Sequence, residues 1–151
     1  MKEKGYYGHG VFLFDELTNV PLLIKFPRGK KIAAGDGYQS LTRIPSLIQD
    51  LAIGSLKDIS EQTVYSEAYG SQHPLKSSIR EDSRDKFRRM YGIKRKSVYK
   101  DKYKLEVLDG GKISELTFKG RAINPEEHKY IVDDLLSEIE LFKENESFIV
   151  R

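Results

Sequence analysis

The chain has 151 residues, of which 38% are hydrophobic and 32% charged, and its formal net charge at pH 7 is +3. A chain of this length and balance can bury a core of its own, which argues against a wholly disordered protein. It contains no cysteine, which excludes disulfides, a thiol nucleophile and cysteine-ligated zinc or iron–sulfur sites.

The N-terminal residues carry no recognisable targeting signal. Met1 to Tyr7 lack the apolar core of a signal peptide. No apolar run in the chain approaches the roughly 20 residues that span a bilayer. Together with the absence of cysteine, these features predict a cytoplasmic protein that does not insert into a membrane.

Two elements are predicted within residues 1–60. Val20 to Phe26 is a nearly continuous apolar run closed by Pro27, a pattern typical of a strand buried on both faces. Ser40 to Ala52 has apolar residues at helical spacing, and Gly54 follows as a stop. This part is therefore predicted to form the edge of an α/β sheet.

An antiparallel sheet is predicted in the second part of the chain. Thr63 to Glu67 has strand character, and apolar and charged residues alternate in Lys102 to Leu108. The alternation is typical of a half-buried strand, with Lys104 and Glu106 on the face away from the core. Two glycines then supply a hairpin turn, and Ile113 to Phe118 is predicted to return beside the first strand.

A helix is predicted after this sheet. Asn124-Pro125-Glu126-Glu127 combines an N-cap residue, a proline at the first helical position and acidic residues in the first turn. Residues 61–151 are therefore predicted to form a second unit, a small antiparallel sheet with a C-terminal helix. The apolar stripe of that helix consists of Val132, Leu135, Ile139 and Phe142.

Positive charge is concentrated between Arg84 and Lys104. This segment holds ten basic and two acidic residues, so its net charge is +8. Aromatic residues lie among the basic ones, a composition that suits stacking on single-stranded nucleic acid. The same pattern fits a solvated, lysine-rich exterior with aromatic residues packed inward, and we favour that interpretation. Nucleic-acid binding is therefore not expected.

Other candidate sites have simple interpretations. The three histidines are separated by 64 and 55 residues and lack the spacing of a zinc site. The neighbouring carboxylates Asp15 and Glu16 would point about 100° apart on a helix, so they would not share one proton. We interpret them as solvent-facing and capping residues.

Several segments resemble motifs of the sulfatase family in the alkaline-phosphatase superfamily. Gly8-His9-Gly10 is followed by Leu13-Phe14-Asp15-Glu16 and Val20-Pro21-Leu22-Leu23-Ile24, in the order of the family's turn, short helix and strand. Ser40 to Ala52 is similar to the family helix that ends in Phe-Pro-Thr-Leu-Leu-Asp-Leu-Ala. Val98 to Leu105 is similar to its strand pair, written Val-Arg-x-x-x-Tyr-Lys-Leu.

The resemblance implies a fold and an activity. Residues 1–60 would be the C-terminal edge of the α/β catalytic domain of an alkaline-phosphatase-like sulfatase fold, and residues 61–151 its antiparallel C-terminal subdomain. A full-length relative would hydrolyse a sulfate ester with the help of a divalent metal, calcium or magnesium. His9 would be the catalytic residue of this chain, because a histidinium there offsets charge on the departing sulfate.

The sequence lacks the remaining machinery of that family. It contains no Cys/Ser-x-Pro-x-Arg motif for the nucleophile and no Asp-His-Gly or Asp-Asn-Gly pair for the metal. We therefore expect a C-terminal fragment that is inactive alone and holds no cofactor. It would pair with an N-terminal sulfatase fragment, or form a homodimer through the free edge of the Val20–Phe26 strand. The alternatives are phosphate-ester hydrolysis or phosphoryl transfer in the same superfamily, and a non-catalytic basic module for binding or assembly.

Overall fold

A computed structural model describes residues 2–3, 6–7, 11–26, 37–55, 60–70 and 91–146. The predicted catalytic residue His9 and residues 84–90 of the basic segment lie outside this part of the chain. Two short 3-10 turns, Leu41–Arg43 and Pro125–His128, each precede a helix. The other described elements are β1 (Lys2–Glu3), β2 (Tyr6–Tyr7), α1 (Asp15–Thr18), α2 (Ile44–Ile53), β3 (Thr63–Ala68), β4 (Arg95–Lys100), β5 (Tyr103–Leu108), β6 (Ile113–Phe118), β7 (Arg121–Ala122) and α3 (Lys129–Glu146).

Strands β3 to β7 form one antiparallel sheet in which each strand pairs with the next in the chain. Short hairpin connections from β4 to β7 produce this order, because antiparallel neighbours can be joined by two-residue turns. The central register places Val98 of β4 opposite Leu105 of β5, and Leu105 opposite Leu116 of β6. The described chain is thus a mixed α/β structure with an antiparallel sheet.

Helix α3 covers one face of this sheet. Asn124 caps the preceding 3-10 turn by accepting a hydrogen bond of 3.1 Å from the Glu126 N–H, and Pro125 follows the cap. The predicted helix start is therefore confirmed. Three residues of the predicted apolar stripe are also buried and share a core with the sheet: Val132, Leu135 and Ile139 pack with Val98, Leu105, Val107 and Leu116.

A polar bridge also joins α3 to the sheet. The Tyr65 hydroxyl in β3 donates a hydrogen bond of 2.9 Å to Glu138, and the Tyr65 ring stacks on Phe142 with centroids 4.6 Å apart. The Lys100 ammonium lies 2.8 Å from Glu138 and 2.9 Å from Asp134. Burial, followed by the hydrogen bond to Glu138, raises the pKa of Tyr65 to about 12.

We expect Tyr65 to contribute to a loss of stability between pH 10 and 12. The folded protein keeps the Tyr65 proton in this range, whereas the unfolded chain, with a tyrosine pKa of 10.0, releases it. Rising pH therefore favours unfolding, and Tyr65→Phe should show a shallower decrease in the free energy of unfolding, measured by urea titration across this range. Tyr130→Phe, at an 81% exposed residue, is the matched control. A slope unchanged by Tyr65→Phe would contradict the prediction.

The opposite face of the sheet is buried as well, contrary to the prediction for β5. Lys104 and Glu106 are only 2% and 4% exposed. The N-terminal segment covers this face, with Phe12 and Leu13 buried at 5% and 4% exposure. The prediction of a half-buried strand is wrong because these charged side chains have partners that offset their loss of hydration: Glu106 pairs with Arg95 of the adjacent strand, and Lys104 with Leu13 and Asp15 of the N-terminal segment.

Val20 to Phe26 forms no strand, which contradicts the sequence prediction. Leu23 is 97% exposed, and no strand among the described residues pairs with this segment. Apolar composition alone does not produce a strand, because the backbone also needs a neighbour for its hydrogen bonds. Ile24 and Phe26 pack instead against Leu47 of α2.

Helix α2, with its preceding 3-10 turn, confirms the element predicted over Ser40 to Ala52. Ser40 accepts a hydrogen bond from a backbone N–H of the 3-10 turn. Gly54 ends the helix with a φ of 74°, a left-handed conformation that glycine adopts without steric cost. The start and stop signals in the sequence therefore act where they were expected.

An isolated antiparallel bridge between Tyr38 and Glu61 is one of several contacts between the two predicted units. The division of the chain into 1–60 and 61–151 stays a prediction. Among the described residues, no helix combines the length and the apolar character needed to cross a bilayer.

Candidate functional site

The two neighbouring acidic residues of α1 have different surroundings. Glu16 is exposed, as predicted. The Asp15 side chain is 36% exposed, so it is partly solvent-facing, but its carboxylate also lies 3.0 Å from the Lys104 ammonium on the covered face of the sheet. His9 and His73 lie outside the described residues, so the catalytic role of His9 stays a prediction.

Arg95 in β4 binds the N-terminal segment at Val11. Its Nε donates a hydrogen bond of 3.1 Å to the Val11 carbonyl, and its Nη1 lies 3.1 Å from Glu106 Oε1 in β5. The guanidinium also lies 4.9 Å from the centre of the Phe12 ring. The Arg95 and Glu106 side chains are 9% and 5% exposed, so they form a buried ion pair.

Lys104 in β5 binds the same segment two residues further along. Its Nζ donates to the Leu13 carbonyl and lies 3.0 Å from Asp15 Oδ1 and 4.0 Å from Glu115 Oε2. Burial acts to lower the pKa of Lys104, but the neighbouring Tyr99 and Asp15 outweigh it and raise that pKa above its ordinary value. Lys104 is therefore a buried cation at neutral pH.

Tyr99 in β4 binds the end of α1. Its hydroxyl lies 2.6 Å from Thr18 Oγ1 and donates a longer bond of 3.5 Å to Asp15 Oδ1. Burial raises the pKa of Tyr99, so the hydroxyl keeps its proton at neutral pH. The Tyr38 ring lies 5.5 Å from the Tyr99 ring, centroid to centroid.

These contacts define an anchored segment, Val11–Thr18. Three side chains of the sheet bind it through two backbone carbonyls, one carboxylate and one hydroxyl. The bound residues are spread along the segment. A shift of the segment by one residue relative to the sheet would therefore break all of these contacts at the same time. The covered face of the sheet therefore fixes both the position and the register of the segment.

A cavity of about 630 Å³ lies beside the anchored segment. Its described walls come from α1 and the residues after it, from residues 37–41 and from strands β3 to β6. Lys104, Asp15 and Tyr99 are shared between the cavity and the anchoring contacts. The site is thus a polar network with an adjoining space large enough for a small molecule.

The basic segment is largely paired over its described part, residues 91–104. Four of the six basic residues in this range form ion pairs with carboxylates of other elements. Charge that is concentrated in the sequence is therefore spread over several contacts in the fold. Over residues 91–104 it does not form the continuous basic stripe typical of a nucleic-acid interface. The paired basic residues are Arg95, Lys96, Lys100 and Lys104.

No group of three or more histidine, aspartate or glutamate side chains within the described ranges could hold a metal ion. The buried carboxylate of Glu106 is bound to Arg95, and the partly exposed carboxylate of Asp15 is bound to Lys104. The calcium or magnesium of a full-length relative therefore has no ligand set among these residues.

No protein-family model, curated protein or solved structure matches this chain. The described segments that resemble sulfatase motifs have definite places in the fold. Two of them are in direct contact, since Lys104 binds Leu13 and Asp15.

Proposed function

We propose that this chain corresponds to the C-terminal part of a sulfatase-like hydrolase, where it positions a catalytic turn for an active site completed by an N-terminal part. The observation that carries the proposal is the contact between two motif-like segments. Lys104 belongs to the segment similar to the family's Tyr-Lys-Leu strand, and Leu13 and Asp15 to the segment similar to its short helix. Lys104 and Leu13 are 91 residues apart in sequence, yet they are bonded to each other.

In this proposal the sheet positions His9 indirectly, by binding Leu13 and Asp15, which follow His9 closely in the sequence. His9 precedes Leu13 by four residues, so the bonds at Leu13 and Asp15 restrict where His9 can lie. A histidine held near a sulfate ester donates a proton or offsets the charge that develops on the leaving oxygen. The nucleophile would come from the N-terminal part.

The architecture and the exposed apolar residues support the same proposal. An antiparallel sheet with one helix on its face is the arrangement that the resemblance implies for the C-terminal subdomain. Leu23, Ile48 and Ile53 are 97%, 60% and 72% exposed. Exposed apolar side chains on adjoining elements suit burial against another polypeptide, which the proposal identifies as the N-terminal part.

We expect the purified chain to hydrolyse neither 4-nitrophenyl sulfate nor 4-nitrophenyl phosphate, because it has no activated nucleophile. Addition of an N-terminal fragment of a sulfatase-family enzyme, carrying formylglycine and its metal, should produce sulfate release. His9→Ala should lower that rate by about 100-fold, the usual contribution of one proton-transfer residue. Faster release from the phosphate substrate would favour the alternative of phosphate-ester hydrolysis.

Two variants separate catalysis from assembly in this experiment. Asp15→Asn removes the charge that Lys104 binds and leaves His9 in place, so the rate should fall while the two fragments still bind each other. His73→Ala removes a histidine without a proposed role and should leave the rate unchanged. Turnover by the unassisted chain that survives repurification would contradict the proposal. So would sedimentation that shows the chain only as a monomer or homodimer, with no complex between the fragments.

A further inference from the structure

Two hairpin turns at one end of the sheet present lysines in an unusual backbone conformation. Asp101 and Lys102, between β4 and β5, have φ values of 50° and 69°, and Lys119, between β6 and β7, has a φ of 51°. A hydrogen bond of 2.8 Å from the Lys119 N–H to the Lys102 carbonyl joins the two turns. Both lysines line the cavity beside the anchored segment.

The left-handed conformation is unfavourable for a lysine. Two-residue turns with positive φ favour glycine or asparagine, because a β-carbon crowds the backbone there. Gly120 occupies the second position of the β6–β7 turn with a φ of 74°, as this preference predicts. Residues in such conformations persist where the fold fixes them, and they cluster at binding sites. Two lysines with positive φ at the rim of one cavity are therefore consistent with a ligand-binding site.

The charges around the cavity favour an anion. Asp15 pairs with Lys104, whereas Lys102 has no carboxylate partner within the described part of the chain. The Lys119 ammonium lies 5.3 Å from the centre of the Phe118 ring. Asp101 and Glu61 line an adjoining hollow that shares Lys102 and Tyr38 with this cavity, but neither carboxylate belongs to the described lining of the cavity itself. The charged residues in that lining are three lysines and one aspartate, Lys102, Lys104, Lys119 and Asp15.

The remaining wall of the cavity is apolar and aromatic. Val20, Leu22 and Leu41 line it and are 46%, 40% and 58% exposed. Tyr38 and Tyr99 also line it, and their ring centroids lie 5.5 Å apart. A ligand with an apolar body can pack on this wall while its charged group meets the lysines, as small-molecule sites commonly arrange it.

We infer that the cavity binds a small amphiphilic anion, a ring-bearing body that carries a carboxylate or phosphate group. The anionic group lies beside Lys102, and the ring packs on Tyr38 and the apolar wall. The cavity volume of about 630 Å³ falls within the roughly 300–1,000 Å³ usual for such sites. The inference stands apart from the proposed function, because it uses neither His9 nor an N-terminal partner.

Isothermal titration calorimetry on the full chain tests this site with 2-naphthoate, 2-naphthyl phosphate and the neutral 2-naphthalenemethanol. We expect the anions to bind at least about tenfold more tightly than the alcohol, because only they can use the lysines. Lys102→Gly removes one ammonium and places glycine where the backbone favours it. Affinity for the anions should then fall about fivefold while the thermal midpoint stays the same or rises. Weaker binding by an equally stable variant cannot be attributed to unfolding.

Lys112→Ser is the matched control, because it removes an exposed lysine near the turn at the opposite end of the sheet. It should bind the anions as the parent chain does. A preference for naphthoate or for naphthyl phosphate identifies the anionic group, and either preference supports the inference. Equal affinity for the neutral alcohol, an equal loss in the Lys112 variant, or no binding of either anion would overturn it.

Discussion

Replacing Arg95 with methionine should lower the free energy of unfolding by about 3–5 kcal/mol. The change leaves Glu106, with a 5% exposed side chain, as a buried charge without its cation. It also removes the donor to the Val11 carbonyl. Methionine keeps an apolar stem beside Phe12, so the loss reflects charge and hydrogen bonding more than packing. Urea titration followed by circular dichroism at neutral pH measures it.

The double variant Arg95→Met/Glu106→Leu identifies the cause of that loss. If the unpaired carboxylate dominates, removing it as well should recover most of the stability, because an apolar pair carries no cost of burying charge. Arg121→Met, at an exposed residue of β7, is the control and should change stability by no more than about 0.5 kcal/mol. A double variant as unstable as the single one would show that the lost hydrogen bond to Val11 and the packing around Arg95 matter more than the unpaired charge.

The covered face of the sheet shows how a locally basic sequence can become part of a protein interior. Arg95 and Lys104 each bind one backbone carbonyl of the anchored segment. Arg95 also pairs with Glu106 of β5, and Lys104 with Asp15 of the segment. The carbonyls of Val11 and Leu13 belong to no strand, so without these donors they would be buried with unmet hydrogen-bonding capacity. The two cations therefore neutralise the carboxylates and also donate hydrogen bonds to the backbone carbonyls of the segment.

The elements best predicted from the sequence are those whose signals lie within a few residues. Asn124-Pro125-Glu126-Glu127 predicts the start of the C-terminal helical region, and Gly54 predicts the end of α2. The structure confirms both predictions. The hairpin between β5 and β6 is likewise specified by its two glycines, whose φ values are 85° and 82°. Such capping and turn preferences act on the local backbone, so they need no knowledge of the rest of the fold.

The site was not predictable in the same way, because its contacts join residues far apart in sequence. The bonds from Arg95 to Val11 and from Lys104 to Leu13 span 84 and 91 residues. The alternation in β5 shows which residues share a face, but it cannot show that a second layer covers the charged face. One signal was present: Arg95 and Glu106, of opposite charge, lie on that face of adjacent strands.

Leu105→Ala should lower the free energy of unfolding strongly, whereas Leu23→Ala should hardly change it. Both leucines belong to predicted strands, and Leu23 lies in the more apolar one. Leu105 is 0% exposed and packs between the sheet and α3, so its truncation leaves a cavity and should cost about 3 kcal/mol in the free energy of unfolding. Leu23 is 97% exposed, so its truncation should change stability by no more than about 0.5 kcal/mol. Urea titration of both variants at two protein concentrations makes the comparison. A large, concentration-dependent loss for Leu23→Ala would show that this side chain is buried between copies of the chain, as a homodimer through Val20 to Phe26 requires.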